Sequence, residues 1–415
     1  MASGRSNPPR WRLTPVAKRL GGVTAAEIAT RAVGFLALPF VARALGPTEF
    51  GSLAFALAIT TWVGVLAAPG FYAYGLRQAA QDPQSIRSVA GELVRLSLTL
   101  TLLAYAGIAM FAFLADISPT ERALLLLTGA TLPVGSINLS WAFIGLSRAG
   151  AVSVLTLVTN VLYVALVIWW VRTPSDVTLV AALQLLQFGL IAFGLLVLAF
   201  RDWGGVRLRL SRKRAIAILR GAVPLGLGTI MTMIYNRIDL VMVAEIRGRT
   251  EAGLYGGAYR IMETAVLLPM TLLSLAVIPS ITGAFAQDPS GAARKVEVFF
   301  RHFLVVATPV VVGGILLRHD IVAIVLGSEY LAVSNVLGVL CLNLLVAGSA
   351  SLFAGCVLVG LRRSGIYLAA VAVGAGVNVA LNLAFIPRFG MMAAAVATLA
   401  AQAAVALFAF VNVRA

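Results

Sequence analysis

Long apolar stretches alternate with short polar breaks along almost the whole chain. A helix needs about 20 apolar residues to cross a hydrocarbon core about 30 Å thick, and these stretches are that long. The pattern predicts an all-α polytopic membrane protein with twelve transmembrane helices, at 22–44, 51–76, 89–114, 122–145, 150–171, 178–200, 216–246, 252–285, 298–317, 331–357, 364–386 and 390–412. Proline inside several helices predicts kinks rather than ends, because neighbouring helices can satisfy the freed backbone groups. The prolines concerned are Pro39, Pro69, Pro133, Pro224, Pro269 and Pro309.

The composition excludes a soluble protein. Hydrophobic residues make up 60% of the chain and charged residues 12%, whereas about 25% of the residues of a soluble domain are charged. The formal net charge of +16 fits a membrane topology, because cytoplasmic loops concentrate Lys and Arg. With the N-terminus inside, 21 basic residues fall on the cytoplasmic side and 6 on the outer side. This bias predicts a multi-pass protein with both termini in the cytoplasm, and it gives no reason to expect a nucleic-acid partner.

The longest loop divides the predicted helices into two equal sets. This basic cytoplasmic linker, at 201–215, separates an N lobe of helices 1–6 (22–200) from a C lobe of helices 7–12 (216–412). A basic cytoplasmic N-terminus, 1–21, precedes the first helix.

The two lobes share short sequence repeats. VARALGPTEFG at 41–51 aligns with VAEIRGRTEAG at 243–253, and GLSRAG at 145–150 aligns with GLRRSG at 360–365. Six helices separate the copies of each repeat, so the lobes have the same orientation and their pseudo-two-fold axis runs along the membrane normal. Two parallel six-helix bundles around a central cleft are typical of an alternating-access carrier.

The sequence carries few signals of enzymatic chemistry. None of its three lysines follows a glycine, so the sequence has no Walker A loop that would bind ATP. His302 and His319 fall on opposite sides of the membrane, which argues against a zinc cluster. The external loops are short, which argues against a polymerase or ligase with a large external domain. We therefore expect a protein that is not an enzyme and that holds neither a metal nor a cofactor.

Charged residues inside the predicted helices are the candidate functional groups. Such residues cost about 2.5–3.5 kcal/mol each to insert and usually face a bundle interior or an aqueous cavity. Some lie near helix ends, where the interface can hydrate them: Arg43, Glu92, Arg95 and Glu245. Others form pairs that share one helix face: Glu27 with Arg31, and Arg260 with Glu263. Each of these pairs fits a structural ion pair and a substrate-binding role equally well.

Depth in the membrane favours a role for the arginines. Arg237 lies roughly 16 Å below the outer surface, Arg260 roughly 10–12 Å and Arg31 roughly 22 Å, at 1.5 Å per residue. Guanidinium stays charged when desolvated and binds phosphate through two hydrogen bonds, so arginines in both lobes suit a diphosphate passing through the cleft. Arg237 and Asp239 point to nearly opposite sides of one helix. One of the two faces the cleft and the other a neighbouring helix, and the sequence leaves open which.

Several stretches of the chain resemble one family of membrane carriers. They are RAVGFLALPFVARALGPTEFGSLAFA at 31–56, with the turn Leu45, Gly46, Pro47, Glu49, Phe50 and Gly51; WAFIGLSRAG at 141–150; YNRIDLVMV at 235–243, followed by AGLYGGAYRI; and NVALNLAFIPRFGMMAAAVAT at 378–398. Together they resemble the polysaccharide-unit (O-antigen type, Wzx-like) flippases of the multidrug/oligosaccharidyl-lipid/polysaccharide (MOP) superfamily. Peptidoglycan-precursor flippases of that superfamily have fourteen helices, so the twelve predicted here argue against that branch.

The resemblance implies a flippase that moves a polyprenyl-pyrophosphate-linked oligosaccharide from the inner to the outer leaflet of a bacterial cytoplasmic membrane, for surface polysaccharide or lipopolysaccharide synthesis. It implies membrane lipids, a glycan polymerase and other polysaccharide-assembly proteins as candidate partners. The candidate substrate-binding residues are then Arg31, Arg237, Arg260 and Asn236, and those for coupling to Na⁺ or H⁺ are Asp239, Glu263 and Glu27.

Other functions stay open at this stage. The first alternative is a MATE-like ion-coupled exporter of a drug or small metabolite. A scaffold for a glycan-assembly complex is the second, and a membrane glycosyltransferase or polymerase is the least favoured.

Overall fold

The computed structural model describes the backbone of residues 15–266, 289–358, 360–361 and 363–414. These ranges are helical and contain no β-strand. The helices are α1 (Pro15–Ala67), α2 (Phe71–Gln81), α3 (Ile86–Leu114), α4 (Pro119–Gly129), α5 (Thr131–Ser136), α6 (Ser140–Gly145), α7 (Ala149–Trp170), α8 (Val177–Trp203), α9 (Arg212–Arg247), α10 (described over 249–266), α11 (Pro289–Leu316), α12 (Arg318–Val325), α13 (Ser334–Ala350) and α14 (Ser364–Arg414). A π-helix, Ser351–Leu358, extends α13.

Glycine residues with positive φ form the tightest reversals. Gly46 (φ 67°, ψ 173°) divides α1 into two arms, 15–45 and 47–67, which correspond to the first two predicted helices. Gly248 (φ 94°, ψ 171°) separates α9 from α10 in the C lobe with nearly the same backbone angles. Gly390 (φ 54°) divides α14 in the same way. Glycine has no Cβ and adopts positive φ without the steric cost that other residues meet, so these positions allow helices to reverse without a long loop.

Three predicted helices are interrupted. The second helix stops at Ala67 and resumes at Phe71, because Pro69 cannot donate a helical hydrogen bond and Gly70 adopts φ 71°. The fourth is divided into α4, α5 and α6, and the tenth starts with a 3₁₀ turn and ends in the π-helix. Pro39, Pro224 and Pro309 lie inside helices that continue through them, whereas Pro269 lies outside the described residues.

Eight stretches of the described chain are long and apolar enough to cross a membrane. Two of them, Ala32–Ala67 and Gly365–Val413, each hold two of the predicted helices, joined at Gly46 and Gly390. The prediction of an all-α polytopic protein is confirmed, and the bounds of the N and C lobes stay a prediction.

The two ends of the bundles differ in their charge and in the backbone conformation of their turns. We call the end that carries the loop 204–211 the basic face, and the end that carries Gly46 and Gly248 the glycine-turn face. Ion pairs join residues that the charge pattern predicts on one side of the membrane, such as Arg148 with Asp202 at the basic face (2.5 Å). The main hydrophobic core contains residues of both lobes, and a second core joins the N lobe to Ile218 and Ala222 of α9. The lobes therefore pack against each other at both faces.

Candidate functional site

Two glycines of the repeat form the contact between lobes at the glycine-turn face. An ideal Cβ on Gly51 would lie 1.8 Å from the Arg249 carbonyl oxygen, and one on Gly253 would lie 1.8 Å from the Pro47 carbonyl oxygen. Gly51 and Gly253 occupy equivalent positions of the repeat, so the same contact is made twice around the pseudo-two-fold axis. Thr48 and Thr250, also equivalent, lie with their hydroxyl oxygens 2.9 Å apart. We call this contact the glycine crossing.

Arg249 strengthens the glycine crossing. Its guanidinium lies 2.6 Å from the Glu121 carboxylate of α4 and stacks 3.7 Å from the centre of the Phe55 ring, both in the N lobe. It also pairs with Glu245 of its own lobe at 3.1 Å. Only about a fifth of the side chain of Arg249 or of Glu121 is exposed, so water screens this pair less than it screens a surface pair.

Further hydrogen bonds connect the lobes at the same face. Arg43 of the N lobe donates to the carbonyl oxygens of Ala323 and Ile324 at the end of α12. Tyr330 donates its hydroxyl to the Ala42 carbonyl at 3.2 Å. The sequence indicated only that Arg43 and Glu245 could be hydrated at an interface, whereas the structure places Arg43 at the contact between lobes and pairs Glu245 with Arg249 of its own lobe.

The first half of α9 closes the basic face. An ideal Cβ on Gly70 would lie 2.1 Å from the Ala222 carbonyl oxygen, and one on Gly226 would lie 2.6 Å from the Gly70 nitrogen. Arg214, in the first turn of α9, pairs with Glu92 of α3 at 3.0 Å. The cleft between the lobes is thus bounded at both ends by close helix contacts.

The internal repeat defines which side chains face the cleft. Gly253 and Gly256 of α10 contact the N lobe, and Arg260 and Glu263 continue the same helix face at spacings of four and three residues. On the second arm of α1, the equivalent positions run from Gly51 through Ala54 and Ala58 to Thr61. Among the described positions of these two faces, the C-lobe face of the cleft is charged and the face formed by the second arm of α1 is uncharged.

Arg260 is the described cleft residue that best suits an anionic ligand. Its side chain is 50% exposed, and its nearest guanidinium nitrogen lies 3.7 Å from the Glu263 carboxylate, which is longer than a normal hydrogen bond. Arg260 is therefore held loosely by its neighbour and remains accessible.

Asp239 lies in the interior of the C lobe. Its residue surface is 1% exposed, and its carboxylate accepts hydrogen bonds from the Tyr255 hydroxyl, from the Thr398 hydroxyl at 2.8 Å and from the Leu240 backbone N–H at 2.8 Å. These donors come from α9, α10 and α14. Asp239 thus faces neighbouring helices of its own lobe.

The remaining predicted site residues have their backbones on these helices and their side chains outside the described part. Glu27 and Arg31 are on the first arm of α1, and Asn236 and Arg237 are on α9. The sequence missed Tyr255 and Thr398 as partners of Asp239, because hydroxyl side chains are common in membrane helices. In the described ranges, no three His, Cys, Asp or Glu side chains are grouped as a metal site would require.

Two known proteins are similar to this chain in sequence. The succinoglycan biosynthesis transport protein ExoT of Rhizobium meliloti is 23% identical over 346 residues, which cover 81% of this chain and 67% of ExoT. The probable flippase AglR of Haloferax volcanii is 28% identical over 193 residues, which cover 46% of this chain and only 40% of AglR.

Solved structures with low sequence identity share the fold. The lipid II flippase MurJ in an inward closed conformation matches with a TM-score of 0.74 at 16% identity, covering 95% of this chain and 87% of MurJ. An inward-facing MATE transporter of the MOP superfamily matches with a TM-score of 0.64 at 16% identity, covering 95% of this chain and 94% of that transporter. The two-bundle architecture is therefore the MOP fold. Residues 16–285 match the family described as polysaccharide biosynthesis protein, which is more than half of the chain. The chain belongs to the polysaccharide biosynthesis protein family.

Proposed function

We propose that this protein is a flippase that carries a lipid-linked oligosaccharide, attached through a polyprenyl diphosphate, from the inner to the outer leaflet of a bacterial cytoplasmic membrane. The observation that carries the proposal is the position of Arg260. It is a half-exposed arginine on the cleft face of α10, between two sets of contacts that close the cleft at opposite ends. The names of the relatives, a succinoglycan biosynthesis transport protein and a probable flippase, support a transport role in polysaccharide synthesis.

The chemistry of guanidinium fits the diphosphate. Arginine stays protonated in a partly desolvated cleft and offers two parallel N–H donors to phosphate oxygens. Because Arg260 lies 3.7 Å from Glu263, a phosphate oxygen can replace the carboxylate without breaking a short ion pair. The polyprenyl chain, which is apolar, remains in the bilayer beside the lobes.

Alternating access follows from the contacts at the two faces. Opening the basic face separates α9 from α2 and α3, and opening the glycine-turn face separates the glycine crossing. The charge bias predicts that the basic face is cytoplasmic, so the substrate enters when the basic face is open and leaves when the glycine-turn face is open.

A leaflet-transfer assay tests the proposal. Purified protein in liposomes should move a fluorescent polyprenyl-diphosphate saccharide between leaflets, and Arg260→Ala should slow transfer by about tenfold or more, because a hydrogen bond to a charged group contributes about 1.5–3 kcal/mol. Arg301→Ala, which removes an exposed arginine of α11, is the matched control. Equal transfer by wild type, Arg260→Ala and Arg301→Ala would contradict a role for Arg260.

We further propose that Asp239 couples transport to Na⁺ or H⁺. A buried carboxylate surrounded by the hydroxyls of Tyr255 and Thr398 can take up either cation and change how α9, α10 and α14 pack. In liposomes with an imposed Na⁺ or pH gradient, wild-type transfer should respond to one gradient and Asp239→Asn to neither. An Asp239→Asn protein whose transfer still follows the same gradient would show that coupling lies elsewhere.

The same assay separates a flippase from a MATE-like exporter. The shared fold and the acidic Glu263 in the cleft leave an organic cation as the competing substrate. Uptake of such a cation, with no movement of the lipid-linked saccharide by the wild-type protein, would favour the exporter.

A further inference from the structure

A cavity of about 490 Å³ lies within the N lobe, outside the charged wall of the cleft. It is enclosed by the second arm of α1, by α2, α3 and α5, and by residues 138–141. This volume is within the range of about 300–1,000 Å³ that small-molecule sites occupy. None of the described residues that line it carries a charge.

One wall of the cavity is aromatic. It is formed by Phe71 and Tyr72 at the start of α2 and by Trp141 of α6. Phe71 and Trp141 are buried, whereas Tyr72 is 51% exposed and lies at the opening. Broad aromatic faces bury much apolar area, and Tyr and Trp combine that surface with a polar group. The C–H face of a pyranose ring packs on such a surface.

The opposite wall carries hydroxyl groups whose protons are already used. Ser97 donates to the Ser136 oxygen at 3.0 Å, and the Thr101 and Ser136 hydroxyl oxygens lie 2.7 Å apart, so one of these two hydroxyls donates to the other. A hydroxyl has one proton and two acceptor lone pairs, so the Ser97 and Thr101 oxygens each keep at least one lone pair that can accept a hydrogen bond. A ligand that fits them must bring its own O–H donors, as sugars do.

The opening of the cavity lies on the cleft side. Thr61, an exposed lining residue, belongs to the helix face that begins with Gly51 and Ala54, which contact the C lobe. Thr61 lies roughly 21 Å along the helix axis from Pro47, and Arg260 roughly 17 Å from Arg249, at 1.5 Å per residue. The cavity and the arginine are therefore at similar depths on opposite walls of the cleft.

From these observations we infer that the cavity is a sugar-binding subsite for the neutral part of the transported glycan, while Arg260 binds the diphosphate. The inference rests on the proposed function and assigns a separate place to the saccharide. An organic cation is disfavoured because no carboxylate is present among the described lining residues.

Transfer assays with two lipids test the subsite. Tyr72→Ala should slow the transfer of a polyprenyl-diphosphate saccharide by about tenfold, the upper range for an aromatic contact, and should leave the transfer of the sugar-free polyprenyl diphosphate unchanged. Phe111→Ala, which removes an aromatic residue of equal exposure (50%) from α3, is the matched control. Equal losses for both lipids, or no loss for either, would overturn the inference. If the wild-type protein moves neither lipid, the proposed flippase function itself has failed.

A binding experiment tests the subsite independently of transport. With Cys341 and Cys356 replaced by serine, Thr61→Cys supplies a single thiol at the opening for maleimide labelling. Free neutral trisaccharides of glucose, galactose or N-acetylglucosamine should slow labelling at least fivefold. The organic cation tetraphenylphosphonium should have no effect. Protection by the cation instead, or by none of these compounds, would overturn the inference.

Discussion

An alanine at position 51 should open the glycine-turn face. The added Cβ would lie 1.8 Å from the Arg249 carbonyl oxygen and 2.8 Å from the Gly253 nitrogen, whereas ordinary contacts begin at 3.4 Å. Both neighbours are helix backbone, which cannot rotate away as a side chain can. The two helices must therefore separate by about 1.6 Å, which disrupts the close packing of the crossing. Gly253→Ala should act in the same way, because its Cβ meets the Pro47 carbonyl oxygen at 1.8 Å.

The expected change in the population of the state with an open glycine-turn face can be estimated from this steric overlap. Overpacking a close contact costs about 1–3 kcal/mol, which corresponds to a population change of about 5–150-fold. Only the state with this face closed bears that cost. Alanine also favours a helix over glycine by about 1 kcal/mol, so the bundles themselves should not lose stability. Gly107→Ala is the matched control, because its Cβ would meet no atom within 4 Å.

Distance measurements between spin labels would detect the opening. Labels at the exposed positions Arg172 in the N lobe and Arg388 in the C lobe report the separation of the lobes at the glycine-turn face. Double electron–electron resonance should show a longer distance gaining population in Gly51→Ala and Gly253→Ala, and not in Gly107→Ala. Identical distance distributions and identical transfer rates in all three variants would refute the claim that this contact closes the cleft.

Two further predictions concern the same face. The hydroxyl oxygens of Thr48 and Thr250 lie 2.9 Å apart. The double substitution Thr48→Cys and Thr250→Cys, in a protein without other cysteines, should therefore form a disulfide under mild oxidation and stop transfer until the disulfide is reduced. Full transfer by the oxidised protein would contradict this prediction. Glu121→Gln can keep the helix-capping contact with Ser118 but removes the negative charge that pairs with Arg249. It should raise the population of the longer spin-label distance by up to about fivefold, which corresponds to about 1 kcal/mol for a partly screened pair. Arg249→Met should add little to that shift, and additive effects in the double-mutant cycle would contradict a direct pair.

The sequence located the residues of the glycine crossing through the repeat, although it did not predict that they touch. Equivalent residues of two lobes meet one another only near the axis that relates them. The strings at 41–51 and 243–253 are both at the outer ends of their helices, and the structure brings Gly51 and Gly253 together there. The helical content followed from hydrophobicity in the same direct way. The breaks in the second and fourth helices did not, because proline is tolerated inside membrane helices.

The partners of individual charged residues could not be predicted. The charge pattern indicates only that Arg249 lies on the outer side, yet Arg249 contacts Glu121 at a sequence separation of 128 residues. Asp239 obtains one of its donors, Thr398, from a helix 159 residues away. Periodicity indicates which face of a helix a residue occupies, and it carries no information about which distant helix covers that face. The aromatic and hydroxyl cavity was missed for a related reason, since a search for buried charge passes over uncharged groups.

The equivalent glycines Gly51 and Gly253 also show how the two halves of the chain have diverged. Both halves keep the backbone contact that Gly51 and Gly253 make, whereas Ala58 in the first half corresponds to Arg260 in the second. A chimera built from two copies of the first half would then retain the close backbone contact of the glycine crossing and lose the Arg260–Glu263 pair. The steric fit between the halves and the charges of the second half are thus carried by different residues, so the charges can change while the glycine crossing is kept.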